Sequence, residues 1–496
     1  MKRIERLAMI VHDMGLIFEF LGIVSFLPFL VLVIFGEWDL VLPMATAPVT
    51  FLVMGYLISH VPYEDLEPSF SVTLSAVALS WLAIAFVGAL PFISGMHMSS
   101  TDSIFEAMSG WTGTAFSMMP SLDQAPKTLL FWRSFMQWMG GIGIVVFGVS
   151  LHRTSRVSLF RLYRAEGREA ELVSSSASTG RRIWMIYLVL TLGFTGLVML
   201  AGIPLWDSLN LVMTTIATGG FTLHTGGLAY YNNPVLEILL IPIMLAGAIP
   251  FKVFFFLYHG KIGGMFRDQT VRILLLIAFI GSVIVSGDLF IFGDLSLASA
   301  FRQGTFTAIS GLCTCGLQNS DPHYWASIPL AIVTMMVFIG GAMGSTAGGI
   351  KVNRLVLVYD GVKWWFRRFF VSSRVLVPQR FGSRTHPKEI SDLAISKNLL
   401  VIIIYVLTIF FATVISLHLY ITSFRLDEVV FEIVSALSNA GLTVGFISYA
   451  SPPAIKWMFI VLMWLGRLEI VPVIIIAMGV VKALRDDIAA DHDSGR

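Results

Sequence analysis

Charged residues are scarce in this chain. Lys, Arg, Asp and Glu make up 13% of its 496 residues, against about 25% in a typical soluble domain. Hydrophobic residues make up 56%, and the mean hydropathy is +0.81. Apolar runs close to the roughly 20 residues that cross a bilayer recur, most clearly at 72–95, 183–203 and 399–420. The composition therefore predicts an all-α integral membrane protein.

Cysteine is nearly absent, and the groupings that carry enzyme chemistry are missing. Cys313 and Cys315 are one residue apart, which is poor spacing for a disulfide and too few ligands for a zinc site. The ten histidines are scattered over ends and loops, with no pair at ligand spacing. The sequence also lacks a nucleotide-binding fingerprint. We therefore expect no enzyme activity, no bound cofactor and no nucleic-acid partner.

The basic residues are concentrated in five segments. These are the N-terminal residues 1–10 and the segments 151–182, 258–272, 351–397 and 481–496. Lys and Arg accumulate on the cytoplasmic side of membranes, so both termini are predicted to be cytoplasmic. Spans placed between these segments number about ten, at 12–36, 42–60, 70–95, 128–150, 183–203, 236–258, 271–291, 327–358, 396–420 and 454–481. The basic, aromatic connection 359–396 favours a surface resting on anionic lipid, with partner docking as the alternative.

Four semi-apolar stretches between the spans are too short to cross, at 102–116, 205–221, 299–316 and 426–442. Each is predicted to dip into the membrane and return. Aligned on Ala115, Gly220, Gly316 and Gly441, all four have a hydroxyl residue six positions earlier: Ser109, Thr214, Ser310 and Ser435. Thirteen positions earlier stand Asp102, Asp207, Gln303 and Glu428. These columns indicate an internal repeat.

The repeat divides the chain into five parts. Residues 1–68 form a two-helix extension, and 69–151 form the first pore repeat. Residues 152–260 hold a cytoplasmic loop and the second repeat, and 261–358 the third repeat with a broken inner helix. Residues 359–496 hold another cytoplasmic loop and the fourth repeat.

A run of small residues ends each short stretch. The first run is Thr112, Gly113, Thr114 and Ala115; the second is Ala217, Thr218, Gly219 and Gly220; the third is Cys313, Thr314, Cys315 and Gly316; the fourth is Ser438, Asn439, Ala440 and Gly441. Glycine adopts at little cost the dihedral angles that aim successive carbonyls at one ion. Four such runs around one axis predict a cation pathway, and close packing of helices through small residues is the alternative.

Four motifs carry a resemblance to a known family: MGLIFEFLG near the start, QWMGGIGIVV at 137–146, GGAMGSTAGGIKVNR at 340–354 and WLGRLEI at 464–470. With these motifs, the whole chain resembles the TrkH/KtrB potassium transporters, which have the plant HKT proteins as relatives. The two extra N-terminal helices are similar to TrkH. The resemblance implies uptake of potassium ion as substrate, a selectivity filter made of the four runs, a homodimer, and control by a cytoplasmic TrkA-type nucleotide-binding ring.

The resemblance also implies a gate below the filter. Its residues are Gly340, Gly341, Gly344, Ser345, Thr346, Gly348 and Gly349, and five glycines in ten residues would interrupt a helix. Arg467 lies inside the last predicted span with Glu469 two residues on, and intramembrane charge is costly and usually functional. The resemblance implies that Arg467 limits ion passage. Helix packing by the glycines and a structural partner for Arg467 are the alternatives. Arg133 is predicted to extend toward the membrane interface.

Ala115 departs from the family, which generally has glycine at this place. A left-handed backbone would cost an alanine about 1–2 kcal/mol. In the plant relatives, serine at the equivalent place goes with sodium preference. The alternative function is therefore a sodium-permeable cation transporter, or a symporter coupled to sodium or protons.

Overall fold

The computed structural model is almost entirely helical and describes residues 2–61, 70–143, 176–251, 253–254, 262–370, 380–381, 384–385, 388–421, 423–470 and 473–474. Within these residues, six helical segments are long and apolar enough to cross a membrane: Met14–Phe35, Trp38–Ser59, Leu74–Met96, Gly180–Met199, Gln269–Ile291 and Ile395–Leu419. The predicted all-α membrane fold is confirmed. Lys252 and the QWMGGIGIVV motif beyond Gly143 lie outside the described residues.

The N-terminal helices are α1 (Lys2–Val24), α2 (Pro28–Phe35), α3 (Val41–Ser59), α4 (Phe70–Gly88) and α5 (Leu90–Met96). The predicted span 12–36 is thus two helices, because Pro28 starts a new helix after a turn. Helices α1 and α3 pack closely. A Cβ on Gly55 would lie 2.8 Å from Cγ of Glu19, so glycine is needed at this crossing.

The first and second repeats contain α6 (Ser100–Thr112), α7 (Lys127–Ile142), α8 (Ser176–Met199), α9 (Leu205–Ile216) and α10 (Pro234–Ala248). The third contains α11 (Ile262–Arg267), α12 (Gln269–Ile291), α13 (Leu297–Leu312) and α14 (Ser327–Ile339). Helix α15 (Val352–Phe369) follows the break in the inner helix of the predicted third repeat. The predicted fourth repeat contains α16 (Lys388–Leu419), α17 (Leu426–Leu437) and α18 (Pro453–Arg467). Strands β1 (Arg380–Phe381) and β2 (Arg384–Thr385) pair antiparallel, and short 3-10 turns cover Trp38–Leu40, Gly227–Tyr231 and Pro322–Tyr324.

The short helices α6, α9, α13 and α17 form the centre of the molecule. Every residue of α6 from Ser103 to Thr112 is buried, and so is every residue of α17 from Phe431 to Leu437. The longer helices expose apolar side chains instead, such as Leu192 on α8 and Phe410 on α16. This distribution suits a protein whose outer surface meets lipid and whose interior holds polar, non-helical backbone.

The helix after each short helix ends early. Helices α7, α10, α14 and α18 are only 13 to 16 residues long. The spans predicted at 128–150, 236–258 and 454–481 are not single helices from their first residue, because their helices stop at Ile142, Ala248 and Arg467. The span 327–358, which was predicted to be broken by its glycines, stops at Ile339. Left-handed backbone follows three of the stops, at Gly143, Gly340 and Glu469, and an extended residue before Pro250 follows the fourth.

Candidate functional site

The backbone makes the same turn after each of the four short helices. The N–H groups of Thr114, Gly219, Cys315 and Ala440 donate to the carbonyls of Ser109, Thr214, Ser310 and Ser435 at 2.7–2.9 Å. The residue just before each donor is left-handed, with φ of 74° at Gly113, 51° at Thr218, 49° at Thr314 and 52° at Asn439. Four stretches with different side chains thus share one backbone conformation.

The first run differs from the other three in the backbone conformation of its last residue. Gly220, Gly316 and Gly441 have φ of 78°, 81° and 79°. Ala115 does not share this left-handed backbone. The cost that a left-handed backbone would carry for an alanine therefore does not arise at Ala115, because the first run turns differently there.

The four runs contact one another in a closed ring. A Cβ on Gly220 would clash with the carbonyl of Cys315, and one on Gly316 with the carbonyl of Ala440. A Cβ on Gly441 would lie 2.6 Å from Cα of Ala115, and one on Gly113 would lie 3.9 Å from the carbonyl oxygen of Ala217. The second run therefore touches the third, the third the fourth, the fourth the first and the first the second. The structure brings residues 115, 220, 316 and 441 together around one axis.

Two buried glutamates hold the ends of the first and fourth runs. Glu106 accepts a hydrogen bond from the N–H of Met118 at 2.6 Å, and Glu432 accepts from the N–H groups of Val444 and Ile447 at 2.9 and 3.2 Å. Each glutamate stands nine residues before the last residue of its run. Neither glutamate was predicted from the sequence, although both occupy the same column of the first and fourth stretches.

Two glutamines connect neighbouring repeats at the ends of the runs. Gln137 donates to the carbonyl of Gly219 at 2.9 Å and accepts from the N–H of Phe221 at 3.0 Å. Gln318, just after the third run, donates to the carbonyl of Thr443 at 2.9 Å. Neither glutamine was predicted from the sequence, because each contacts a segment of a different repeat and no local sequence pattern indicates such a contact.

Arg133 is buried, not extended toward the interface as predicted. Its side chain is 1% exposed, and its Nε lies 2.6 Å from Oε1 of Glu106. It also donates to the carbonyl of Thr222 at 3.0 Å and stacks over the ring of Phe221 at 4.0 Å. A buried carboxylate needs a paired charge, and Arg133 supplies it behind the first run.

The glycine loop, residues 340–351, interrupts the helical path between α14 and α15, as the glycine content predicts. Gly340, Gly344 and Gly349 are left-handed, with φ of 69°, 77° and 76°. Ser345 bonds within the loop, to the carbonyl of Ala342 at 2.6 Å. The N–H of Ala342, next to Gly341, donates to the carbonyl of Ala248 at 3.0 Å.

The glycine loop touches three of the four runs. Thr346 Oγ1 lies 3.2 Å from the hydroxyl of Thr218 in the second run. The N–H of Gly348 donates to the hydroxyl of Thr314 at 2.6 Å, and the N–H of Gly349 donates to the carbonyl of Ser438 at 3.1 Å. The loop is therefore packed against the helix-proximal ends of the runs.

Arg467 is the last residue of α18 and does not lie inside a continuous helix, which corrects the sequence prediction. Its guanidinium donates to the carbonyl of Gly140 and lies 5.1 Å from the ring of Trp81. Glu469 pairs instead with Arg354. Arg467 lines a cavity together with Gly344, Gly348, Lys351 and Asn439, next to the glycine loop and the fourth run.

Backbone oxygens are the chemistry that this site offers. Among the described residues, no group of three or more His, Cys, Asp and Glu side chains is placed to hold a metal. Rings of carbonyls can instead replace the water shell of a monovalent cation. A family model described as a cation transport protein, TrkH, matches residues 44–482 of the chain.

The chain belongs to this TrkH family of cation transport proteins. It is 29% identical over 470 residues to an uncharacterized cation transporter of Methanocaldococcus jannaschii, covering 94% of each chain. It is 27% identical over 485 residues to the Trk system potassium uptake protein TrkH of Halomonas elongata, covering 95% of this chain and 98% of that one. The crystal structure of the potassium transporter TrkH from Vibrio parahaemolyticus superposes with a TM-score of 0.81 at 25% identity, covering 95% of this chain and 98% of that one. The resemblance stated from the motifs is confirmed, and the protein has a membrane transporter fold.

Proposed function

We propose that the protein takes up potassium across the cytoplasmic membrane through the ring of four runs. The single observation that carries this proposal is the closed ring of contacts between four runs with one shared turn. Such a ring presents carbonyls from four sides to an ion on the axis and can replace its water. The names of the Halomonas and Vibrio relatives, both potassium transport proteins, support potassium as the substrate.

The glycine loop and Arg467 form the gate in this proposal. The loop packs against the runs through Thr346, Gly348 and Gly349, so an ion leaving the ring on that side meets it. The positive charge of Arg467, on the same cavity, raises the energy of a cation there. Ion passage requires the loop to leave its contacts with the runs.

The proposal includes a homodimer with both termini in the cytoplasm. Control comes from a cytoplasmic TrkA-type nucleotide-binding ring. The relatives named as Trk system proteins support such a partner. The nucleotide acts only through that partner.

A sodium-permeable pathway is the second candidate. The observation that favours it is Ala115, whose backbone differs from that of the three matching glycines. One of the four sides of the ring then aims its carbonyls differently, which can weaken discrimination between potassium and the smaller sodium ion. A coupled symporter would need acidic residues within the membrane, and Glu19 and Glu469 are candidates. Glu19 accepts a hydrogen bond from Ser59 between α1 and α3 at 2.5 Å, and Glu469 pairs with Arg354.

Rubidium flux into liposomes tests both candidates. We expect purified protein to pass rubidium down its gradient without sodium or a proton gradient, with potassium competing better than sodium. The Ala115→Gly variant is expected to discriminate more strongly between the two ions. Flux that stops when both coupling ions are removed would instead establish a symporter, and equal competition by sodium would establish the sodium-permeable pathway.

A further inference from the structure

Glu432, on α17, is a fully buried carboxylate that holds the segment after the fourth run. One of its oxygens accepts from the hydroxyl of Thr443 at 2.6 Å and from the N–H of Ile447 at 3.2 Å. The other oxygen accepts from the N–H of Val444 at 2.9 Å. Three donors aimed at one carboxyl group favour its ionised form, which only accepts hydrogen bonds.

The first repeat has the equivalent carboxylate, Glu106, but places a cation beside it. Helices α7 and α18 both begin 12 residues after the last residue of the preceding run. A Cβ on Gly140 or on Gly466 would clash with the carbonyl of the residue four positions before the end of that run, so the two helices also pack in the same register. In this register Phe459 stands at the place of Arg133, the partner of Glu106.

Aromatic rings occupy the place that a cation has in the first repeat. The ring of Phe459 packs against those of Phe116 and Phe446, at 5.9 and 6.1 Å between centroids. Among the residues that the structure describes, no Lys, Arg or His side chain forms an ion pair with Glu432. The neighbouring cations pair with other acids: His323 and Arg425 with Glu428, and Lys456 with Asp102.

Within the described part of the chain, the one further charge that acts on Glu432 is also negative. Asp321, in the loop after the third run, is this group. Helix α14 has no charged residue, and the charges of α16 lie at residues 388–397 and at the exposed His418. Arg467, at the far end of α18, donates to the carbonyl of Gly140. The protein itself thus leaves the negative charge of an ionised Glu432 uncompensated.

We propose that the cation in the ring is the counter-charge of Glu432, so that potassium and a proton compete for the protein. A buried charge is costly unless another charge compensates it. When the ring is occupied, the cation compensates the carboxylate across the low-dielectric interior. When the ring is empty, a proton on Glu432 does so. Binding of potassium therefore breaks the O–H bond of the carboxyl group, leaves the electron pair on its oxygen and releases the proton to water.

Glu432 is a positioning residue in this inference, which rests on the proposed transport function. Binding linkage is reciprocal, so protons weaken cation binding by the same factor by which potassium weakens proton binding. Glu106 does not act in this way, because the charge of Arg133 compensates it whether or not the ring is occupied. A proton-coupled symporter is the opposite arrangement, because there a proton would assist cation uptake.

Rubidium uptake into liposomes at several pH values, equal on both sides of the membrane, tests the competition. For the wild type we expect the half-saturating rubidium concentration to rise severalfold from neutral to mildly acidic pH, with little change in the maximal rate. Glu432→Gln should raise that concentration severalfold at neutral pH and make it independent of pH. Glu432→Asp keeps the charge and should keep the pH dependence. Asp294→Asn, at an exposed loop position before α13, is the control and should follow the wild type.

Thr443→Val gives a second test in which the carboxylate stays in place. The variant deletes one donor to the ionised form of Glu432, so the rise in half-saturating concentration should begin at a higher pH. Three results would overturn the competition: wild-type values at every pH in Glu432→Gln, an unmoved profile in Thr443→Val, or wild-type uptake that an inward proton gradient accelerates.

Proton release separates the competition from transport. Rubidium added to the detergent-solubilised wild type in weak buffer should acidify the solution, as measured with a pH-sensitive dye, and should do so severalfold less with Glu432→Gln. Proton release without flux in liposomes would count against the proposed transport function alone. Flux without proton release would overturn the competition alone.

Discussion

At the scale of single residues, glycines allow the runs to approach one another closely because they have no side chain. Gly441 needs glycine for two independent reasons. Its φ is 79°, and a Cβ would lie 2.6 Å from Cα of Ala115 in the neighbouring run. Strain and steric clash therefore add at this position.

We predict that Gly441→Ala abolishes cation flux and lowers the unfolding temperature in detergent. The backbone strain alone costs about 1–2 kcal/mol, and the clash forces the first and fourth runs apart. Gly193→Ala is the matched control, because this helical glycine has no atom within 4 Å of an added Cβ. Normal flux in Gly441→Ala, measured with rubidium in liposomes, would show that the ring does not depend on this contact.

At the scale of elements, hydrogen bonds hold the glycine loop to several surrounding segments. Thr346 makes several of them: its hydroxyl donates to the carbonyl of Ile216 at 3.0 Å or of Gly247 at 2.9 Å, and lies 3.2 Å from the hydroxyl of Thr218. A typical hydrogen bond contributes about 1 kcal/mol net. The Thr346 hydroxyl is therefore one of the side-chain contacts that tie the loop to the second run and to the end of α10.

We predict that Thr346→Val raises rubidium flux several fold, because the shape is kept while the hydrogen bonds that hold the proposed gate are lost. Thr334→Val on α14 is the control, since that hydroxyl bonds only the carbonyl of Leu330 in its own helix, at 2.7 Å. Flux that falls or stays the same in Thr346→Val would contradict a gating role for the loop. Circular dichroism of both variants checks that each remains folded.

On the scale of the whole molecule, a polar cluster joins the first and second repeats beyond their runs. Asp123 lies 2.8 Å from Nδ1 of His224 and accepts from the N–H of Thr225 at 3.3 Å. The hydroxyl of Thr225 accepts from the N–H of Leu122 at 3.0 Å. The hydrogen bonds from His224 and Thr225 lower the pKa of Asp123 below its ordinary value of 3.8.

We predict that this cluster makes the protein less stable in acid. A lowered pKa means that the stabilisation is complete above pH 3.8 and is lost as the pH falls through the lowered value. The unfolding temperature of Asp123→Asn should therefore fall less steeply than that of the wild type below pH 3.8. Asp294→Asn, at another loop position, should behave as the wild type does, and an identical slope for Asp123→Asn would exclude the cluster as the source.

The sequence by itself determined the membrane class, the four short helices and the break at the glycine loop. These features follow from local composition, because apolar length, helix-starting residues and glycine content act within one segment. The predicted short stretches 205–221 and 426–442 begin where α9 and α17 begin. The family followed from contiguous motifs for the same reason.

Only the tertiary structure decided how these segments meet. The partner of Arg133 is 27 residues away in sequence, and Gln137 reaches a run 82 residues away. Ala115 lacks the left-handed backbone of its three counterparts, and Gly441 of the neighbouring run packs against it. Such contacts depend on which helices and loops pack against each other. The sequence pattern does not show which segments will pack together, because every segment here is rich in apolar or small residues.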